Sequence, residues 1–257
     1  MNIDNVSYKK ELINLIEGKR VAFVGSSPHL MGTNLGSVID DYDVVIRVND
    51  VIPRGHEKHY GSRTDIIFSG CGSLDMDHFA YKLEKNIEVT KEVKLVVCPG
   101  IKADHAWKDN VADNFAKVNK YNLPFFGITK DMYWHYNQLI GCEPNSGMIA
   151  WLMLLENTGI KSLFITGCTF YVQNLRAIPR KDRCYNDHYP GYVEDDNGVV
   201  PRYLNERYEP WGNGGKRHHD LPAQINFLKN HILKKYKNVI TIDNVLKQIL
   251  NIDYENV

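Results

Sequence analysis

Six short runs of branched apolar residues recur along the chain, and they constrain its fold more than any other feature. They are VAFVG from Val21, DVVIRVN from Asp43, TDIIFSG from Thr64, VKLVVCPG from Val93, KSLFITG from Lys161 and KNVITID from Lys237. Within each run the apolar residues are consecutive instead of alternating. A strand with one wet face alternates, so consecutive runs mean strands covered on both faces, as in a parallel sheet between helices. Stretches of helical period separate them: Tyr8 to Glu17, Ala103 to Val118, Ser146 to Asn157, Leu221 to Lys234 and Asn244 to Leu250. Gly159 supplies a stop for the third of these, and Asp220 with Pro222 supplies a start for the fourth. The expected class is therefore α/β, with a Rossmann-like, mostly parallel sheet and helices on both faces. A chain of 257 residues, 43% of them apolar, buries one large core, so a single domain over 1–257 is expected.

The charge balance narrows the partners. Lysine plus arginine number 31, as do aspartate plus glutamate, for a formal net charge of +0. No global field draws the chain to nucleic acid or to an anionic membrane, so an anionic substrate must be held by local donors. The longest apolar run, Met148 to Leu155, is too short to span a bilayer, and the opening MNIDNVSYKK lacks the apolar stretch of a signal peptide. A soluble, cytoplasmic protein without a transmembrane segment is expected. The 5 cysteines, an odd number, contain no Cys-x-x-Cys pair and no zinc-ligand spacing, which reads as buried free thiols in a reducing compartment.

Candidate chemistry gathers where strands end. The first run leads into Gly25-Ser26-Ser27-Pro28, at the carboxyl edge where open α/β sheets bind ligands. It is neither a Gly-x-Gly-x-x-Gly fingerprint nor a P-loop, and taken alone it is a tight turn. The helix that starts at Ser146-Gly147 offers free amides and a partial positive charge, suited to ribose hydroxyls or a phosphate. His218 and His219 precede the helix opened by Asp220 and Pro222. Asp75-Met76-Asp77 is an Asp-x-Asp of the kind that carries a divalent metal in many sugar-diphosphate enzymes, although acidic residues opening a helix give the same pattern. From Cys168 to Arg217 no period survives. Such a segment reads as a lid or acceptor loop, or as a stretch that orders only with ligand.

The stretch VAFVGSSPHLMGTNLGSVIDDYDVVIRVNDVIPRGHEKHYGSRTDIIF resembles the large donor-binding motif of the animal-type sialyltransferases, with matches at Gly25, Ser27, Gly32, Gly36, Asp40, Arg47, Asn49, Gly61, Ser62, Arg63 and Thr64. Ser26 stands where that family has asparagine. PNSGMIAWLMLLENTGIKSLFITGCTFY is similar to the family's small motif through Pro144, Ser146, Gly147 and Gly167, with Asn145 in place of a hydroxyl residue. His219 to Gln224 is similar to its very small motif, His-x-x-Pro-x-Glu, with Gln224 for the glutamate.

The resemblance implies a glycosyltransferase-A-like, inverting, metal-independent enzyme that takes CMP-sialic acid as donor substrate, needs no further cofactor and uses a glycan hydroxyl as acceptor. His219 would be the catalytic base. Donor contacts would come from Gly25, Ser26, Ser27, Asn49, Ser146 and Gly147, with Tyr133 and Tyr171 as further candidates. The family's phosphate-gripping His-Tyr pair falls on Arg202-Tyr203, with His188-Tyr189 as the alternative, and that role stays open. The family's disulfide is missing, since Val21 and Gly159-Ile160 occupy its positions, which implies a microbial or viral relative outside a secretory compartment. Three other readings stand beside this one. They are a CMP-Kdo transferase, a metal-dependent nucleotide-diphosphate-sugar transferase using Asp75 and Asp77, and an inactive nucleotide- or glycan-binding module suggested by Ser26, Gln224 and Arg202.

Overall fold

The computed structural model describes residues 5–25, 27–48, 55–69, 92–99, 119, 122–157, 159–170 and 221–251. Its strands are β1 (Arg20–Val24), β2 (Val44–Val48), β3 (Ile66–Phe68), β4 (Leu95–Cys98), β5 (Phe125–Gly127), β6 (Ser162–Thr166) and β7 (Ile240–Ile242). They form one sheet in the order β5-β4-β3-β2-β1-β6-β7, with every neighbouring pair parallel. The helices are α1 (Asn5–Ile16), α2 (Gly36–Asp40), α3 (Glu57–Tyr60), α4 (Lys130–Ile140), α5 (Ser146–Asn157), α6 (Leu221–Phe227), α7 (Leu233–Lys235) and α8 (Asn244–Ile249), with a π-helical stretch Leu228–Ile232 joining α6 to α7.

Each of the six apolar runs gives a strand, and β1 shows why the run must be continuous. Successive side chains point to opposite faces. Val21 and Phe23 enter a cluster with Leu12 and Ile16 of α1 and Met148 to Leu154 of α5. Ala22 and Val24 enter a second cluster with Leu30, Ile39 of α2 and Tyr60 of α3. Both faces are covered, as the sequence pattern requires. Helix α5 is apolar on every side because it is buried on every side: Trp151 sets its ring edge-on to Phe23 at 5.7 Å and to Phe170 at 5.8 Å.

Two elements depart from expectation. Strand β5 is an edge strand of three residues behind Pro124, too short and too lacking in branched residues to read as a run, and it pairs through Val96 with Phe125; proline is tolerated at such an edge. Helix α4, KDMYWHYNQLI, has a mixed polar and aromatic sequence in which tyrosines, Tyr133 and Tyr136, take most of the buried positions. Its ends are nonetheless marked: the Thr129 hydroxyl accepts from the Met132 N–H at 3.2 Å, and Gly141 stops the helix in the left-handed region at φ 83. The helix expected over Leu221 to Lys234 is present but passes through its π-helical stretch. The one expected over Ala103 to Val118 lies outside the described residues.

The strand order reverses direction between β1 and β6, and at that switch point the segments that leave the two strands are hydrogen-bonded to each other. The Gly25 N–H donates to the Thr166 carbonyl at 2.8 Å and the Ser27 N–H to the Gly167 carbonyl at 3.1 Å. A Cβ on Gly25 would stand 2.2 Å from the Gly167 carbonyl oxygen, and one on Gly167, whose φ is +71, would stand 2.5 Å from that of Gly25. Neither atom is a side-chain tip that can move aside. Gly25→Ala should therefore destabilise the fold by about 2–3 kcal/mol or more, the scale of a core overpacking. Denaturant unfolding checks this, and an unchanged midpoint would contradict it.

Candidate active site

The large motif builds a scaffold before it builds a surface. Arg47 is 4% exposed, which for a guanidinium requires acceptors on every side. Its Nε donates to the Arg63 carbonyl and the Thr64 hydroxyl at 3.1 and 2.9 Å, and its NH2 reaches the carbonyls of Tyr60, Gly61 and Arg63 at 2.8, 3.1 and 2.9 Å. Asp40 completes the turn from the other side, accepting from the Ser62 N–H and hydroxyl and from the Arg63 N–H. The φ of Gly61, +76, is what lets that turn close beneath Asp40. The motif's Asp40, Arg47, Gly61, Ser62, Arg63 and Thr64 are thus one hydrogen-bonded unit around the starts of β2 and β3.

A second unit sits at the switch point. Ser27 is 4% exposed, and each of its polar groups has a partner within the protein. Its N–H is held by Gly167, its carbonyl accepts from the Tyr60 hydroxyl at 2.9 Å, and its hydroxyl is 3.0 Å from His29 Nδ1. His29 Nε2 lies 3.2 Å from Asp243 Oδ2, which also accepts from the Thr166 hydroxyl at 2.9 Å and the Gly167 N–H at 3.0 Å. Asp243 Oδ1 caps α8 by accepting from the Leu246 N–H at 2.8 Å. Burial alone would raise the Asp243 carboxyl, but the hydrogen bond and charge of His29, with the N–H groups of Leu246 and Gly167, hold it below the usual carboxylate range. Neither His29 nor Asp243 stands out in the sequence. The helix start at Asn244 does point to Asp243 as a cap, but not to the use of its second oxygen.

Two helix N-termini adjoin this edge. A helix that precedes a parallel strand begins at the carboxyl edge of the sheet, and α5 and α6 precede β6 and β7. They are tied together directly: the buried Gln224 side chain of α6 accepts from the Asn145 N–H at 3.0 Å. The Asn145 side chain takes the Met148 N–H at 2.9 Å. The amides of Ser146 and Gly147, in the first turn, have no acceptor within the helix and point off its end. Both residues are half-exposed.

The structure thus brings Gly25 and Ser27 to the switch point and Ser146 and Gly147 to a helix start at the same edge. Tyr133 is 4% exposed in the core on α4; burial first, and then the neighbouring Glu143 charge, push its hydroxyl well above the usual tyrosine range. Ser26, Asn49, Asp75, Asp77, Tyr171, His188, Arg202 and His219 lie outside the described residues. A shallow depression of about 410 Å³ lined by Arg20, Ser37, Val38, Asp41, Tyr42 and Ser162 lies at the opposite, amino-terminal edge and holds none of the expected site residues.

Because the folded Asp243 carboxyl is held below its unfolded value, its contribution to stability is complete above the unfolded value of about pH 4 and is lost as pH falls through the folded one. Urea unfolding from pH 6 down to 3 should show a loss of stability that Asp243→Asn reduces. At pH 7 the variant should be less stable by about 1–3 kcal/mol, the scale of charged hydrogen bonds lost. Parallel pH profiles for the two proteins would contradict this.

Residues 9–137 match the sequence model of glycosyltransferase family 29 (sialyltransferase). A stretch of 111 residues is 34% identical to the CMP-N-acetylneuraminate-beta-galactosamide-alpha-2,3-sialyltransferase 4 of Rattus norvegicus, covering 43% of this chain and 31% of that protein. Another of 48 residues is 46% identical to the CMP-N-acetylneuraminate-beta-1,4-galactoside alpha-2,3-sialyltransferase of Rattus norvegicus, covering 19% of this chain and 13% of that one. The crystal structure of a mammalian sialyltransferase is similar with a TM-score of 0.48 at 16% identity, over 93% of this chain and 79% of that chain. The chain spans about a third of the length of the first of these curated relatives. Such animal relatives are Golgi-resident, luminal membrane enzymes, so the expectation of a cytoplasmic protein does not stand. At the positions of the missing disulfide, Val21 and Ile160 belong to one buried apolar cluster. That no described helix is long and apolar enough to cross a membrane does not speak to the compartment. The chain belongs to glycosyltransferase family 29, the sialyltransferases.

Proposed function

We propose that this chain transfers sialic acid from CMP-sialic acid to a hydroxyl of a glycan acceptor, with inversion, in a single displacement. The observation that carries the reading is that, in a chain of this family, Gly25 and Ser27 and the start of α5 stand at the same, carboxyl edge of the sheet. The relatives' names, which specify a β-galactosamide or a β-1,4-galactoside and an α-2,3 bond, supply the acceptor class and linkage to test first.

The donor nucleotide would lie along Gly25, Ser26, Ser27 and Asn49, with its ribose or phosphate against the amides of Ser146 and Gly147, where the N-terminal end of the α5 dipole favours negative charge. Tyr171, His188 and Arg202 are the further groups proposed for the donor, whereas Tyr133, packed in the core, is set aside. His219, five residues before Gln224 in sequence, would take the proton from the attacking hydroxyl. CMP leaves as a monophosphate, whose developing charge helix amides and fixed donors can stabilise without a bridging metal. The sugar's own carboxylate would steady the oxocarbenium-like transition state.

Release of CMP from CMP-sialic acid should be seen with a β-galactoside acceptor and should persist in excess EDTA. His219→Ala should lower turnover by about 100-fold, the usual scale for a general base, while CMP affinity changes little. Equal or tighter binding of UDP, or activity lost to EDTA and restored by manganese, would overturn the reading.

A further inference from the structure

His29 ties the turn after β1 to a part of the chain far from it. It lies in the short 3-10 turn Pro28–Leu30, and its partner Asp243, 214 residues away in sequence, stands between β7 and α8. The His29 and Asp243 side chains are each 8% exposed. The carboxylate sets the direction of one bond in the chain of contacts, and the charge state of the imidazole that of the other. The Asp243 carboxylate only accepts, so His29 Nε2 carries the hydrogen of the 3.2 Å contact. In a neutral imidazole Nδ1 is then bare, and the Ser27 hydroxyl donates to it at 3.0 Å. With the Ser27 N–H on Gly167 and its carbonyl on Tyr60, the position of Ser27 is determined at three points.

Two of those points belong to the sheet and to α3. The third reaches across the switch point, through His29, to the same carboxylate that receives the Thr166 hydroxyl and the Gly167 N–H. The turn after β1, the turn after β6 and the cap of α8 therefore share one buried anion. Among the described residues Asp243 is the charged group in contact with the imidazole.

We propose that His29 is a positioning residue for the nucleotide-binding turn, holding Gly25 to Ser27 in place through the relay Ser27–His29–Asp243, so that the β7–α8 unit is part of the donor site. The proposal rests on the reading of this edge as the CMP seat. A glutamine at position 29 preserves one donor and one acceptor on a planar group and should keep most of the relay, whereas alanine removes both.

The test is calorimetry with CMP on the full chain, wild type and variants, with folding checked by circular dichroism, together with imidazole 15N NMR of the wild type. His29→Ala and Asp243→Asn should each weaken CMP about tenfold or more, the double variant should bind no worse than the weaker single one, and His29→Gln should recover most of the loss. In transfer assays the KM for the donor should rise while kcat at saturating donor changes by less than about threefold. The wild-type spectrum should place the hydrogen on Nε2, and CMP should shift the His29 signals. Folded variants that bind CMP as the wild type does, additive losses, or a hydrogen on Nδ1 would overturn the proposal. If the variants do not fold, an absence of any CMP-induced shift at His29 overturns it. A wild type that does not bind CMP would instead overturn the donor reading, and this proposal with it.

Discussion

Where β1 and β6 end, two peptide backbones leave the sheet in contact with nothing between them. Gly25 and Gly167 each stand where the other's carbonyl would meet a Cβ, and the two hydrogen bonds at this point join the turns to each other rather than to neighbouring side chains. Much of the candidate site depends on that approach. It fixes how the turn after β1 lies on the edge, and it places the Gly167 N–H beside the carboxylate that also holds His29. A crevice at a switch point forms because the connections run away on either side; here its floor is two glycines.

The large motif divides its labour. Residues that look like ligand contacts because they are charged, Asp40, Arg47 and Arg63, spend their hydrogen bonds on the backbone of the turn between α3 and β3 and on the loop before β2. A buried guanidinium surrounded by carbonyls is expensive to remove, because its acceptors are left unpaired. Such residues carry the shape of the amino-terminal ends of β2 and β3, on which the strands leading to the donor edge are set. At the carboxyl edge, the helix amides of Ser146 and Gly147 are the groups left to face what binds there.

The strands were legible because a parallel sheet covered on both faces leaves a continuous apolar run, and α5 was legible to the residue because Asn145 and Gly159 bracket an unbroken apolar stretch. Strand β5 and helix α4 were not, since a three-residue edge strand needs no run and a half-exposed helix can be built from tyrosine, tryptophan and asparagine so long as Thr129 and Gly141 mark its ends. At the site, sequence pointed to the turn at Gly25 and the helix start at Ser146. It was silent on His29 and Asp243, whose meaning comes from meeting across the switch point. The compartment was misread because the lack of an apolar span and leader, and with it an absent disulfide, was taken as a sign of location, which absences of that kind do not give.

What distinguishes the two edges of the sheet is the kind of group each presents. At the amino-terminal edge Arg20 is already paired with Asp41 and Asp43 beside a shallow depression; at the carboxyl edge stand two helix starts and a backbone turn. The most direct test of the account is therefore a backbone 1H–15N NMR titration with CMP. The shifts should gather at Gly25, Ser27, Ser146, Gly147 and Gly167, and shifts gathered instead at Arg20, Ser37, Tyr42 and Ser162 would contradict the account.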